Sequence, residues 1–185
     1  RDVSRLDTAA LYEVRRVCAM VFQHSTLFDS MTCAENVALP LRKHKGLGPK
    51  QALAEAQRLL NHVHMAEFGT RYPAELGDGM RKRVAIARAL SLEPRYVLFD
   101  EPTTSLDPVS ARRVDRLIRE LSDTLGVTSI VVSHDLASIF TIADRIVMLY
   151  KGEVKLLGTR EEFKSSPDGI IQQFINGRAD GPMEA

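Results

Sequence analysis

The run Tyr96-Val97-Leu98-Phe99-Asp100-Glu101 sets two adjacent carboxylates at the end of an apolar stretch of strand type. Ligands of open α/β sheets bind outside the carboxyl ends of the strands, so this pair stands where a divalent cation or a reacting water is held. Acidic residues also end strands without any such role. A second apolar run, Ser129 to Val132, leads into Ser133-His134-Asp135 and brings an imidazole to another strand end. A third, Val17 to Phe22, ends at Gln23. A lone histidine or glutamine in such a place is more often structural than chemical. Leu76-Gly77-Asp78-Gly79-Met80 is a glycine-rich turn that opens a helix, where unpaired backbone N–H groups favour an anion. Asp107 before Pro108 suits a helix start as well.

The hydrophobic pattern says what positions these residues. Arg1 to Thr8 reads as a loop and Ala9 to Arg16 as a short helix. Thr32 with Glu35 makes a capping box, which predicts a helix from Cys33 towards Leu39 that stops before Pro40. After the breaker cluster Gly46 to Pro49, the segment Gln51 to Val63 carries Leu53, Ala56, Leu59, Leu60 and Val63 at helical spacing. Residues from Ala34 to about Tyr72 therefore form a mainly helical block set into an α/β core. Then helices Met80 to Leu90, Val109 to Leu125 and Leu136 to Ala143 alternate with strands Tyr96 to Phe99, Ser129 to Val132 and Ile146 to Leu149. Continuous apolar strands separated by helices predict a parallel sheet covered on both faces. Gly152 marks a turn into Glu153 to Leu157, Thr159 with Glu162 caps a terminal helix, and Gly177 to Ala185 reads as a disordered tail.

With 185 residues, 44% of them hydrophobic, the chain can build one well-cored domain. Lys+Arg 25 against Asp+Glu 24 leaves a net charge of +1, which removes any global electrostatic case for nucleic acid or a membrane surface. The cluster Arg81-Lys82-Arg83 reads as a solvated helix face. No apolar run approaches the roughly 18 residues of a membrane span, and Arg1-Asp2 does not begin a signal peptide, so a membrane role must come through a partner. Cys18 and Cys33 lack metal-ligand spacing and read as reduced thiols of a cytosolic protein.

In this order, the glycine-rich turn, Asp100-Glu101, Ser105-Leu106-Asp107 and Ser133-His134-Asp135 resemble the ATP-binding cassette (ABC) ATPases, along essentially the whole chain. The resemblance implies a P-loop NTPase-like α/β core with a mostly parallel sheet plus a helical subdomain. Residues 34–90 would be the helical and signature subdomain, 1–33 and 91–176 the α/β core, and 177–185 the tail. ATP and Mg²⁺ are the implied cofactors. Asp100 would hold Mg²⁺ directly or through water, Glu101 would polarise the attacking water, and His134 would contact the γ-phosphate and orient that water. Gln23 would be the glutamine that reaches the metal and moves with the helical subdomain. Gly77, Asp78 and Gly79 would meet the γ-phosphate of a nucleotide held by the opposite subunit, and Asp107 would lie on the loop that faces that subunit. Leu27 to Thr32, Glu35 to Leu41 and Met80 look like the ATPases that serve MCE-domain lipid transporters. The implied function is ATP hydrolysis that drives transport, of lipid, through a separate membrane-spanning permease, with a second ATPase subunit completing a homodimer. No nucleic acid partner and no direct membrane insertion are implied. The subunit would sit in the cytoplasm at the inner face of the cell membrane.

Two departures qualify this. The G-x-x-x-x-G-K-[ST] loop that cradles phosphates occurs nowhere in the chain. The expectation is that a preceding segment carries it, together with the first strands and the adenine-stacking aromatic, and that the chain by itself is inactive. Where the family has Leu-Ser-Gly-Gly followed by Gln or Met, this chain has Gly77 without a hydroxyl and Asp78 with a carboxylate. A carboxylate about 4 Å from a phosphate charge, at an effective dielectric near 20, is repelled by about 4 kcal/mol. Alternatively Asp78 turns outward and caps the helix. Two readings stay open: the ATPase just described, and a catalytically dead interaction module that keeps the fold and the partner surface.

Overall fold

Residues 2–183 are described by a computed structural model, in which the strands that lead to Gln23, Asp100 and Ser133 pair as one parallel sheet. β1 (Cys18–Val21), β2 (Tyr96–Asp100) and β3 (Thr128–Val132) lie in that order, with Val21 opposite Phe99 and Asp100 opposite Val132. Parallel strands in step send all their carboxyl ends to one edge, so residues far apart in the chain meet there. The face carrying Val21, Val97 and Phe99 is buried. The opposite face is not covered as the sequence predicts: Met20, Ile130 and Val132 are 46%, 53% and 60% exposed.

The chain divides after Ser133 into two compact units. In the first, α1 (Thr8–Val17) precedes the sheet, α2 (Cys33–His44), α3 (Pro49–His62) and α4 (Asp78–Leu90) pack on one another, and α5 (Pro108–Leu125) joins β2 to β3. Both hydrogen bonds of the Thr32/Glu35 capping box form at the start of α2. The helix does not stop before Pro40. It continues to His44, because Val37, Ala38 and Leu41 are buried against the neighbouring helices. An interior proline costs about 3 kcal/mol, and burial of a Val or Leu side chain contributes roughly 1.5–3 kcal/mol, so the packing offsets the break. In α3 the buried stripe is Ala52, Ala56 and Leu60, while Leu53, expected inside, is 41% exposed.

In the second unit α6 (Leu136–Ile142) is followed by β4 (Ile146–Tyr150), β5 (Glu153–Gly158), α7 (Arg160–Ser165) and α8 (Gly169–Asn176). β4 does not extend the parallel sheet as predicted; it pairs antiparallel with β5. The connection is Lys151-Gly152, at φ of 50° and 80°. Two residues with positive φ make a tight hairpin turn, and a two-residue link can only reverse the chain. Ile146, Met148, Phe163 and Ile171 form the core of this unit. The single terminal helix of the sequence reading is two helices: the Thr159/Glu162 box caps α7, and Asp168, after Pro167, caps α8. Of the segment read as a tail, Gln173 Oε1 accepts from the Met183 N–H at 2.6 Å. Glu184 and Ala185 lie outside the described residues.

Candidate active site at the edge of the parallel sheet

The chain turns sharply where β2 ends. Glu101 has φ +45°, a conformation unusual for any residue but glycine, and its N–H donates to the Val132 carbonyl of β3 at 2.9 Å. Its carboxylate accepts from Thr104 Oγ1 at 2.9 Å and from Ser133 Oγ at 3.4 Å. The backbone strain persists because hydrogen bonds from its own loop and from the end of β3 both hold the residue. Asp100, half-buried, is the last residue of the strand. His134 follows Ser133 directly, is exposed, and opens the second unit.

The glycine-rich turn sits where the sequence places it, but Asp78 does not cap the helix. Gly77 is the N-cap of α4, with φ −71° and ψ 161°, and makes no side-chain cap. Asp78 lies in the first turn and forms an ion pair with Arg81, whose Nη1 also donates to the Leu76 carbonyl at 2.9 Å. The carboxylate is turned along its own helix with its charge matched, so the full repulsion estimated for a bare carboxylate does not apply. A β-carbon on Gly79 would stand 3.1 Å from Ser110 Cβ, so glycine is what allows α4 to approach the start of α5. There Asp107 caps α5, accepting from the Val109 and Ser110 N–H groups, both at 3.0 Å. The Ser110 hydroxyl and amide hold the Asp107 carboxyl below the usual carboxylate range.

Two recesses flank the start of α4. One, of about 270 Å³, includes Gln23, Asp78, Arg81, Lys82, Thr104 and Ser105 in its lining. The other, of about 420 Å³, is bordered by Gly77, Gly79, Met80, Arg83, Asp107 and Arg113. Lys82 corrects the sequence reading: it is not on a solvated face but 2% exposed, with Nζ donating to the Phe22 and Gln23 carbonyls at 2.9 and 2.6 Å. Burial pushes its pKa down, while Asp100 and then Asp78 push it back up. Helical spacing held the signal, since Lys82, Ile86 and Leu90 recur every four residues on one stripe.

Among the described residues no cluster of three or more His, Cys, Asp or Glu side chains is poised to hold a metal. The donors at the strand edge are the carboxylates of Asp100 and Glu101 and the amide of Gln23, all hard oxygens suited to a Mg²⁺ that keeps several waters. No glycine-rich phosphate loop accompanies them in these residues.

A parallel sheet with paired carboxylates at its edge, a glycine-opened helix and a capped aspartate loop define a nucleotide-binding cassette. The family described as ABC transporter matches residues 2–104. The intermembrane phospholipid transport system ATP-binding protein MlaF of Haemophilus influenzae is 38% identical over 184 residues, spanning 99% of this chain and 69% of that protein. The sulfate/thiosulfate import ATP-binding protein CysA of Vibrio vulnificus is 41% identical over 179 residues, spanning 95% of this chain and 50% of that protein. Among solved structures, the dimeric ATP-binding cassette MJ0796 in a post-hydrolysis state with ADP and Pi superposes with a TM-score of 0.72 at 33% identity, covering 84% of this chain and 68% of that one. The chain belongs to the ABC transporter family of ATP-binding subunits. No helix among the described residues is long and apolar enough to cross a membrane.

Proposed function

We propose that this chain is the part of a transporter ATPase that carries the catalytic carboxylate and the signature turn, with phospholipid as the class of molecule moved. The observation that carries the ATPase reading is Glu101, held at the edge of the sheet by Thr104 and Ser133. Fixed there as an acceptor, it can take a hydrogen bond from a water and orient it for attack. Asp100 and the Gln23 amide would hold Mg²⁺, which supplies neutralisation of phosphate charge when bound. His134 would hydrogen-bond the γ-phosphate, while Gly77, Asp78, Gly79 and Asp107 would face a nucleotide carried by a second subunit. The dimeric MJ0796 cassette supports that pairing.

In this reading the phosphate cradle would be supplied by a P-loop-bearing segment outside these residues. By themselves these residues should give no saturable Mg-ATP binding at micromolar concentrations in a calorimetric titration. The lipid reading rests on the MlaF relative, which this chain matches along 99% of its own length. The slightly higher identity to a sulfate-importer subunit covers only half of that protein. A separate permease would link the subunit to the inner face of the membrane.

Glu101→Gln in the P-loop-complete protein tests the central claim. The amide keeps the shape but loses the charge, so hydrolysis should collapse while ATP affinity survives and the ATP-bound dimer accumulates. Unchanged turnover would make Glu101 a structural residue.

A further inference from the structure

Lys82 and Arg88 lie six residues apart on α4, and both reach the segment that leaves β1. Lys82 Nζ donates to the carbonyls of Phe22 at 2.9 Å and Gln23 at 2.6 Å. Arg88 Nη1 donates to the Thr26 carbonyl at 2.9 Å, and its Nη2 to the Ser25 carbonyl at 3.4 Å and to Thr26 Oγ1 at 3.0 Å. Thr26 is itself in the left-handed region, at φ +48°, a conformation that needs outside support in a residue with a branched side chain. We infer that this clasp makes Lys82 and Arg88 positioning residues: through it the glycine-opened helix decides where Gln23 stands.

A 2% exposed lysine is unfavourable unless its donors are paired. Here two carbonyls accept from it, and although burial lowers its pKa, the charges of Asp100 and then Asp78 oppose that shift. Its place is therefore set by those partners, and theirs by it. Gln23 is exposed, two residues beyond the last paired residue of β1, so the sheet ladder does not hold it. What holds its backbone is the Lys82 contact. Lys82 is one helical turn from Asp78, at the end of α4 that borders both recesses. A shift of that end moves the Gln23 carbonyl with it. The link joins the two ends of the proposed machinery, the turn that meets nucleotide and the glutamine that reaches the metal, and it rests on that functional reading.

Lys82→Met in the P-loop-complete protein tests it by two measurements. Backbone amide order parameters should fall below about 0.6 at residues 23–27 and stay unchanged in α3 and β2, as expected when hydrogen bonds from a charged donor are lost. The Mg²⁺ concentration for half-maximal ATPase activity should rise about tenfold, with ATP affinity little changed, and Lys82→Met should add nothing to that shift in a Gln23→Ala background. Unchanged order parameters at residues 23–27 would overturn the clasp. A rise in Mg²⁺ requirement that persists undiminished in the Gln23→Ala background would overturn its action through Gln23. If Gln23→Ala alone leaves the Mg²⁺ requirement untouched, the metal reading of Gln23 falls, and the order parameters alone judge the clasp. Should Lys82→Met fail to fold, Arg88→Met must lower the order parameters of residues 25–27, and unchanged values there overturn the proposal.

Discussion

Replacing Asn36 by alanine should destabilise this chain by about 2–3 kcal/mol, and the hydrogen bonds say why. Asn36 is fully buried in α2 and closes the loop that follows Gln23. Its Oδ1 accepts from the Phe28 N–H at 2.8 Å, and its Nδ2 lies 3.0, 3.1 and 3.0 Å from the carbonyls of Phe28, Met31 and Thr32. Truncation does not orphan all four groups. The Phe28 carbonyl still accepts from the Met31 N–H at 3.1 Å, and the Thr32 carbonyl from the Asn36 N–H at 2.9 Å. The Phe28 N–H and the Met31 carbonyl lose the partner that Asn36 supplied. Each unsatisfied group costs about 1–3 kcal/mol when buried, and partial access of water to this loop favours the lower part of the sum. Urea unfolding followed by circular dichroism gives the difference directly, provided the slope with denaturant is unchanged. Asn36→Asp should be worse than alanine at neutral pH, because a carboxylate can accept from Phe28 but has no hydrogen to offer three carbonyls. A loss below about 1 kcal/mol for alanine, or an aspartate milder than alanine, would refute the view that Asn36 holds the loop.

Gly79→Ala should lower the melting temperature by pressing a methyl group onto Ser110 Cβ at 3.1 Å, and an unchanged value would mean that α4 and α5 make room without cost. Arg81→Met should leave Asp78 unpaired and weaken ATP-dependent dimer formation in the P-loop-complete protein, measured by sedimentation, with Asp78→Gly restoring it; an undiminished dimer would mean that Asp78 does not face phosphate. Asp107 titrates below the usual carboxylate range in the folded chain, so its ionised form stabilises the fold above that range, and the contribution is lost as pH falls through the folded value. The difference in melting temperature between the parent chain and Asp107→Ala should therefore narrow between about pH 7 and about pH 3, and a constant gap would remove the carboxylate's charge from the account of the α5 cap.

Much of the site was legible in the chain because its signals are local. Apolar runs that end in Gln23, Asp100-Glu101 and Ser133, separated by helices, had to be parallel strands, and parallel strands deliver their ends to one edge. Capping boxes at Thr32 and Thr159 are likewise written in neighbouring residues, and both form. Tertiary structure decided what local rules cannot. Pro40 stays helical because Leu41 is buried against other helices, and β4 takes β5 as its partner through a two-residue turn. Asp78 is turned by Arg81 towards its own helix, and Gly79 shows its purpose only against Ser110 from α5. Lys82 is the plainest case: within a run of three cations it looks solvated. Its place on the stripe with Ile86 and Leu90 points inward, but the carbonyls that accept from it lie 59 and 60 residues away in the chain, and helical spacing cannot name them.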